Sequence, residues 1–202
     1  MSIPDAAIPR AANDPVILAF GDSLTAGYGL PSDASFAAQL QRALRRTRPA
    51  ARVLNAGVSG DTTATGLARL PRVLSGLSAR PDLAIVELGA NDLLRGIDPA
   101  RTRANLDAIL RELGRAGIPP LVAGMMAPAF LGPFVARFNA VFPDVARAHG
   151  APLYPFFLDG VAGDPALTLP DRLHPNARAI GIVVDRILPH VDAALAGVRA
   201  AA

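Results

Sequence analysis

Residues 16–25 read Val16-Ile17-Leu18-Ala19-Phe20-Gly21-Asp22-Ser23-Leu24-Thr25, and this stretch decides the fold. Its first five residues are all apolar and do not alternate with polar ones, which is typical of a strand that is buried on both faces of a sheet. Gly21 permits a sharp exit from that strand. Ser23 therefore follows the carboxyl end of a buried strand, the place where open α/β sheets bind their ligands. A lone serine there is most often a helix cap or a turn residue, so a catalytic role for Ser23 can be inferred only together with the motifs that follow.

The pattern of the first strand recurs along the chain and alternates with helical patterns. Further strands are predicted at 52–56, 83–88, 120–125 and 152–154. Alternation of strands and helices indicates parallel strands joined by right-handed crossovers. We therefore predict an α/β fold, a three-layer α/β/α sandwich with about five parallel strands and a flavodoxin-like arrangement. Residues 16–198 are predicted to form a single domain that follows a flexible N-terminal tail, 1–15.

Three prolines fall inside helical patterns. Pro71 is predicted to restart its helix as the first residue of a second segment, and Pro143 to kink the helix that contains it. The last long helix is predicted over 176–188, with a further turn or two after Pro189.

Composition excludes several classes of function. The 202 residues are 51% hydrophobic and 18% charged, which is a globular composition. The net charge is only +3, the basic residues are all arginine, and their one cluster (42–48) is more typical of a solvated helix face than of a nucleic-acid site. The chain has no cysteine, so disulfides, thiolate catalysis and cysteine-ligated metals are excluded. From the charge pattern we predict no nucleic-acid partner.

Neither a signal peptide nor a membrane span is predicted. Residues 1–14 lack a basic region followed by an apolar one. Residues 117–136 are uncharged and long enough to span a bilayer, but four prolines and three glycines interrupt them. This run is therefore interpreted as a buried strand followed by a loop, and no stable membrane insertion is expected.

Four short motifs carry the polar residues that chemistry would need. They are Gly-Asp-Ser at 21–23, Ser-Gly-Asp at 59–61, Gly-Ala-Asn-Asp at 89–92 and Asp-Arg-Leu-His-Pro at 171–175. The first three directly follow predicted strands, and the fourth lies at the entry to the last predicted helix. Because the carboxyl ends of parallel strands share one edge of a sheet, we expect the motifs to converge at that edge.

The motifs contain the parts of a nucleophilic site. A serine hydroxyl is a weak nucleophile and needs an adjacent base, for which His174 is the candidate. Asp171 lies three residues earlier, close enough in a turn to hold Nδ1–H of His174 and to leave Nε2 for the proton of Ser23. The other two histidines are expected to be ordinary surface residues, His149 near a helix C-terminus and His190 in the terminal helix. The predicted catalytic residues are therefore Ser23, Asp171 and His174.

An oxyanion requires hydrogen-bond donors that are already in place. The backbone N–H groups of Ser23 and Gly60 and the side-chain amide of Asn91 are the predicted donors. Gly60 alone would be interpreted as a turn glycine, and Asn91 alone as a loop residue bonded to its own backbone. Their occurrence in order, at the ends of successive strands, makes the joint coincidence improbable.

The four motifs together make the chain resemble the SGNH hydrolases, also called the GDSL esterase/lipase family. The four residues that give the family its name would here be Ser23, Gly60, Asn91 and His174. The resemblance runs from about residue 16 to about 195 and is closest to the bacterial arylesterase and thioesterase/lysophospholipase branch. That placement is supported by the segments 66–71, 94–96 and 152–157.

Two positions depart from the family pattern. Ala90 stands where a second glycine is usual, which is a small change. Arg172 stands where this branch usually has a glycine between the aspartate and the next apolar residue. A glycine there can adopt a positive φ, which an arginine resists. Arg172 is expected either to lean over the mouth of the pocket or to pair with Asp171 and weaken its hold on His174.

The resemblance implies a serine esterase that works through an acyl-serine intermediate on a small-molecule ester, with no cofactor and no metal. Expected substrates are aryl esters and short- to medium-chain acyl esters, and acyl thioesters or lysophospholipids are a further option. Apolar residues that flank the proposed site are predicted to bind substrate: Leu93, Leu94, Met126, Phe130, Leu131 and Leu173, with Ala127 beside them. Secreted and periplasmic members are frequent in this branch, so a periplasmic or secreted location is expected if a signal was removed, and a cytoplasmic one otherwise.

Three alternatives remain open at this stage. Related families remove O-acetyl groups from sugars, so a carbohydrate O-deacetylase is the main rival. A non-catalytic binding relative is a second alternative, should Arg172 disable the triad. A nucleotide-binding flavodoxin-like protein is a third, although residues 27–32 fail the Gly-x-Gly-x-x-Gly pattern and the chain has no lysine for a P-loop. The oligomeric state is not predicted.

Overall fold

The computed structural model describes residues 14–200 of the chain. Within them, five parallel strands form one sheet with the order β2-β1-β3-β4-β5. The strands are β1 (Val16–Gly21), β2 (Arg52–Gly57), β3 (Leu83–Glu87), β4 (Pro120–Ala123) and β5 (Leu153–Tyr154). This is the strand order of flavodoxin-like folds, and it confirms the predicted α/β class.

Helices cover both faces of this sheet. In the described part of the chain they are α1 (Ser23–Ala26), α2 (Phe36–Leu44), α3 (Thr63–Ser75), α4 (Ala90–Leu94), α5 (Pro99–Arg115), α6 (Pro133–Ala148) and α7 (Ala177–Ala200). Helix α2 packs on α7, whereas α3 packs on α5 and α5 on α6. Because right-handed crossovers run outward from β1 in both directions, these two groups lie on opposite faces. The layers are those of the predicted α/β/α sandwich.

Burial explains why these segments form their elements. Every residue of β1 and β3 is buried, as expected for central parallel strands covered by helices. The largest fully buried side chains include five phenylalanines, and four of them meet edge to face in two pairs. The pairs are Phe36 of α2 with Phe157, and Phe138 with Phe142, both of α6.

Helices continue through the prolines that were expected to interrupt them. The predicted restart at Pro71 is wrong, because α3 runs unbroken through it. Helix α7 contains Pro189 and runs on as one helix to Ala200, so the further turns predicted after Pro189 are continuous with the segment predicted to end at 188. Both prolines are exposed, so each interrupts only one hydrogen bond on the solvent side of its helix. Helix α6 also runs on past Pro143, and the kink expected there stays a prediction.

Two residues of the predicted N-terminal tail are packed, whereas residues 1–13 of that tail lie outside the described residues. Asp14 and Pro15 are buried. The side chain of Asp14 accepts a hydrogen bond from the backbone N–H of Ala50, and the carbonyl of Pro15 accepts one from Arg52. These bonds join the start of β1 to the start of β2.

The uncharged run 117–136 contains β4, a loop and the start of α6. It is therefore a strand followed by a loop, as predicted. None of the helices in residues 14–200 is both long and apolar enough to cross a bilayer.

Candidate active site

Three of the four motifs follow neighbouring strands at one edge of the sheet. Strand β1 lies between β2 and β3, so residues 21–23 are flanked by 59–61 on one side and by 89–92 on the other. The strand order turns back at β1, which is where open α/β sheets form a crevice. The fourth motif reaches the same edge, because His174 contacts Ser23.

Ser23 is the first residue of the short helix α1, directly beyond the end of β1. Asp22 caps this helix, since its Oδ1 accepts a hydrogen bond from Leu24 N at 3.0 Å. The helix ends after one turn, at Gly27. Ser23 is only 8% exposed, and its Oγ lies 2.9 Å from Nε2 of His174.

Asp171 and His174 belong to one turn that is held together by its own hydrogen bonds. One carboxylate oxygen of Asp171 accepts from the backbone N–H groups of Leu173 and His174, each at 3.0 Å, and the other lies 2.7 Å from Nδ1 of His174. The two backbone bonds, followed by the bond from His174, lower the pKa of Asp171 to about 2. The aspartate is therefore a carboxylate that accepts from Nδ1–H, which leaves Nε2 free to accept the Ser23 proton.

Arg172 adopts the conformation that the usual glycine would permit. Its φ is +58°, the only positive φ of a non-glycine residue in the described part of the chain. It makes no ion pair with Asp171, whose oxygens are used within the turn. Arg172 and Leu173 instead line an apolar cavity of about 440 Å³ beside the site. The hold of Asp171 on His174 is therefore intact.

The predicted oxyanion donors sit on either side of Ser23. Gly60 has a φ of +85° in a turn closed by a hydrogen bond from Asp61 N to the carbonyl of Val58, a conformation that favours glycine. The backbone N–H groups of Ser23 and Gly60 donate to no protein acceptor within residues 14–200. Asn91 Nδ2 donates to Asp22 Oδ2 at 3.1 Å and to the carbonyl of Asp61 at 2.9 Å. A bound oxyanion would share one of these amide hydrogens.

A buried pair of acids lies beneath these donors. Glu87, at the end of β3, is fully buried, and its Oε2 accepts hydrogen bonds from Thr25 Oγ1 at 2.7 Å and from Asp22 N at 3.4 Å. Its Oε1 has no partner among the described residues. Burial, together with the charge of Asp22, raises the pKa of Glu87 well above its usual range, and burial raises the pKa of Asp22 to about 6. Glu87 is therefore the neutral member of the pair, and Asp22 keeps the negative charge that orients Asn91 at neutral pH.

The neutral state of Glu87 predicts the pH dependence of stability. A carboxyl whose pKa is raised on folding binds its proton more tightly in the folded protein, so it lowers the free energy of unfolding as pH rises, by about 1.4 kcal/mol per pH unit. Between pH 5 and 7, above the pKa of a glutamate in the unfolded chain, we expect the free energy of unfolding of Glu87→Gln to fall by up to about 3 kcal/mol less than that of the wild type. Urea denaturation at several pH values measures this difference.

The matched control is Glu112→Gln, at the other glutamate of the chain, which is paired with Arg115 at the surface. Its curve should run parallel to that of the wild type. A parallel curve for Glu87→Gln as well would mean that Glu87 is ionised in the folded protein.

The predicted substrate-binding residues lie in α4, in the segment after β4 and in the turn before α7. Leu93 is half-buried and packs against the core. The other five are exposed: Leu94, Met126, Phe130, Leu131 and Leu173. Leu173 lines the cavity of about 440 Å³, and within residues 14–200 no hydrogen bond or ring contact joins any of the six to Ser23. Their role in substrate binding therefore stays a prediction.

Tyr28 lies beside the site, although the sequence carries no strong signal that places it there. The ring of Tyr28 lies 4.4 Å from that of His174, between centroids, and is half exposed. The sequence places Tyr28 in a loop, and its position five residues after Ser23 is the only hint of this contact.

His149 pairs with Asp107, and His190 packs on Tyr154, so neither contacts Ser23. Within residues 14–200 no group of three or more His, Asp or Glu side chains is placed to hold a metal ion.

Comparisons with known proteins agree with this geometry. The model of the GDSL-like lipase/acylhydrolase family matches residues 19–179, which contain all four motifs. The crystal structure of AlinE4, an SGNH-hydrolase family esterase, is 49% identical with a TM-score of 0.76, and the match covers 92% of this chain and 98% of that one. Thioesterase 1/protease 1/lysophospholipase L1 of Escherichia coli strain K12 is 37% identical over 177 residues, 87% of this chain and 83% of the relative. The arylesterase of Vibrio mimicus is 37% identical over 164 residues, 81% of each chain.

Proposed function

The chain belongs to the GDSL-like lipase/acylhydrolase family, and on this premise we propose that it is a serine esterase that hydrolyses carboxylic esters through an acyl-serine intermediate. The family predicted from the four motifs is confirmed. The observation that carries the proposal is the unbroken hydrogen-bonded series from Asp171 through His174 to the Oγ of Ser23, with distances of 2.7 and 2.9 Å.

The first half of the reaction acylates Ser23. As its Oγ attacks the ester carbonyl, Nε2 of His174 takes the hydroxyl proton, and the Asp171 carboxylate stabilises the imidazolium that forms. The carbonyl oxygen gains negative charge beside the N–H groups of Ser23 and Gly60 and the amide of Asn91. Each such donor typically contributes about 10²–10³ in rate. His174 then gives its proton to the leaving alcohol or phenol.

The second half restores the enzyme. A water molecule loses a proton to Nε2 of His174 and attacks the acyl-Ser23 carbonyl, and the same donors stabilise the second oxyanion. The acid leaves when His174 returns the proton to Ser23 Oγ. The triad and the three donors thus supply the base, the nucleophile and the electrostatic stabilisation that the cycle requires.

We propose aryl esters and short- to medium-chain acyl esters as substrates, with acyl thioesters and lysophospholipids to be tested beside them. Two observations support an apolar acyl group. The exposed large apolar side chains include residues of the segments that follow β1, β2, β3 and β4, at the edge of the sheet that carries Ser23. Two of the relatives are named as an arylesterase and as a thioesterase and lysophospholipase.

A substrate panel tests this proposal directly. We expect p-nitrophenyl acetate to decanoate to be hydrolysed, and a fluorophosphonate probe to add one adduct to the protein, at Ser23. Acetylated xylan should be a poor substrate in the same assay. A preference of tenfold or more for acetylated xylan would instead favour a carbohydrate O-deacetylase, and failure of the probe to label Ser23 would favour a non-catalytic relative.

A further inference from the structure

One arginine outside the proposed triad holds two of the motifs together. Arg69, on α3, directs Nη2 to the carbonyl of Gly21 at 3.0 Å and Nε to the Asp61 carboxylate at 2.5 Å. Gly21 is the last residue of β1, and Asp61 directly follows Gly60. The two arms of one planar guanidinium therefore join the end of the strand before Ser23 to the turn that carries Gly60.

The same guanidinium is connected to the third predicted oxyanion donor. Asn91 Nδ2 donates to the backbone carbonyl of Asp61 at 2.9 Å, so the position of Asp61 affects the amide of Asn91 as well as the adjacent Gly60 N–H. The second bond of Nδ2 is to Asp22 Oδ2, and Asp22 directly follows the Gly21 that Arg69 contacts. Each of the three donors is thus connected to Arg69 through Gly21 or through Asp61.

The surroundings of Arg69 restrict its motion. Its Cζ lies 4.3 Å from the centroid of the Phe20 ring, so the guanidinium is held over the face of a fully buried aromatic side chain. The side chains of Arg69 and Asp61 are only 20% and 10% exposed. An ion pair so shielded from solvent is screened less than a surface pair and fixes its partners more firmly.

A second arginine also contacts this turn. Arg95, just after α4, donates from Nη2 to the carbonyl of Gly60 at 2.8 Å. Arg95 is exposed, and this bond leaves Asp61 and Gly21 untouched. Arg69 is therefore the residue of the two that joins the motif of Ser23 to that of Gly60.

We propose that Arg69 is a positioning residue of the oxyanion hole, which sets the Gly60 N–H and the Asn91 amide relative to Ser23 through its paired bonds to Gly21 and Asp61. This inference rests on the serine esterase function proposed above. Arg69 acts through its partners and does not touch the substrate, so its loss should lower the rate of acyl transfer and leave ground-state binding nearly unchanged.

The test compares Arg69→Met with Arg72→Met on a p-nitrophenyl ester. Arg72 lies one turn further along α3, is exposed, and makes no side-chain hydrogen bond or ion pair within residues 14–200. We expect Arg69→Met to lower kcat by about 10- to 100-fold with KM within about threefold, because misplacing a donor costs part of the 10²–10³ that its removal costs. Arg72→Met should behave like the wild type.

Two further variants separate positioning from a merely structural role. Arg69→Lys keeps the charge but lacks the fork that reaches both partners, so it should restore less than half of the lost kcat. Adding millimolar methylguanidinium to Arg69→Ala should raise kcat saturably, whereas Arg72→Ala should not respond. A stabilising contact unrelated to the oxyanion hole would give neither result at temperatures where each variant is folded.

The outcomes are distinct from those of the functional proposal. If the wild type does not hydrolyse esters, the proposed function fails. If the wild type is active and Arg69→Met matches Arg72→Met, the role of Arg69 is overturned. If Arg69→Met does not fold, Arg69→Lys decides: full kcat in the folded Lys variant overturns the inference, and a reduced kcat with unchanged KM supports it.

Discussion

Replacing Ser23 with alanine is expected to lower kcat for an aryl ester by about 10⁴–10⁶-fold, since the variant loses the nucleophile to which the acyl group would be transferred. Any residual rate would come from substrate binding and from the Gly60 and Asn91 donors. The fold should be retained, because the substitution removes one hydroxyl whose side-chain hydrogen bond is to His174. Steady-state kinetics and a thermal melt measure the two effects.

Ser75→Ala is a suitable control for this substitution. Ser75 is an exposed serine on α3, and its hydroxyl bonds only to the carbonyl of Arg72. Wild-type kinetics are expected for Ser75→Ala. Retention of more than about a tenth of the activity in Ser23→Ala would remove Ser23 as the nucleophile.

Replacing Gly57 with alanine is expected to destabilise the protein by about 3 kcal/mol or more. A Cβ at Gly57, the last residue of β2, would lie 2.3 Å from Ala26 N, 2.7 Å from Ala26 Cα and 2.8 Å from the carbonyl oxygen of Asp22. All three are backbone atoms of the segment that carries Ser23, so no side-chain rotation can relieve the overlap, and overpacking of this kind lies at the costly end of core substitutions. The molecules that still fold should also have a lower kcat, because residues 22–26 must move.

A glycine-to-alanine substitution at Gly114 should change the stability of the protein in the opposite direction. Gly114 lies within α5 and is exposed, and a Cβ added there would meet no atom outside its own helix within 4 Å. Gly114→Ala is therefore expected to stabilise the protein by about 0.5–1 kcal/mol. Urea denaturation of both variants measures the contrast, and wild-type stability in Gly57→Ala would contradict the close approach of β2 to α1.

The fold could be predicted because its signals are local. The apolar runs 16–20 of β1 and 83–86 of β3 are buried on both faces, and Asp98 and Gly117 bracket α5 as start and stop residues. The errors lie where a local signal competes with tertiary packing. Pro71 is unfavourable inside a helix, but the buried side of α3 keeps its packing on α5, and this outweighs one lost hydrogen bond.

The triad and oxyanion residues could be proposed from the sequence because each lies in a short motif at a strand or helix end. The residues that support them could not, because their contacts join distant parts of the chain. Glu87 is 62 residues from Thr25, and Arg69 is 48 residues from Gly21. No local pattern connects such pairs. The six apolar residues proposed to bind substrate stay a prediction, since apolar character near a site does not tell whether a side chain points inward.

The turn that contains both Asp171 and His174 predicts how the enzyme loses activity on heating. The Asp171 carboxylate and the His174 imidazole are expected to move as one unit, because the bonds between them are made within four consecutive residues. The distance of both residues from Ser23 depends on how a single loop packs against the rest of the protein. This loop, residues 155–176, contains little regular structure. Such segments open at lower free energy than a buried sheet does. Heat inactivation is therefore expected to begin as reversible lifting of this loop, while the strands beneath it are still intact.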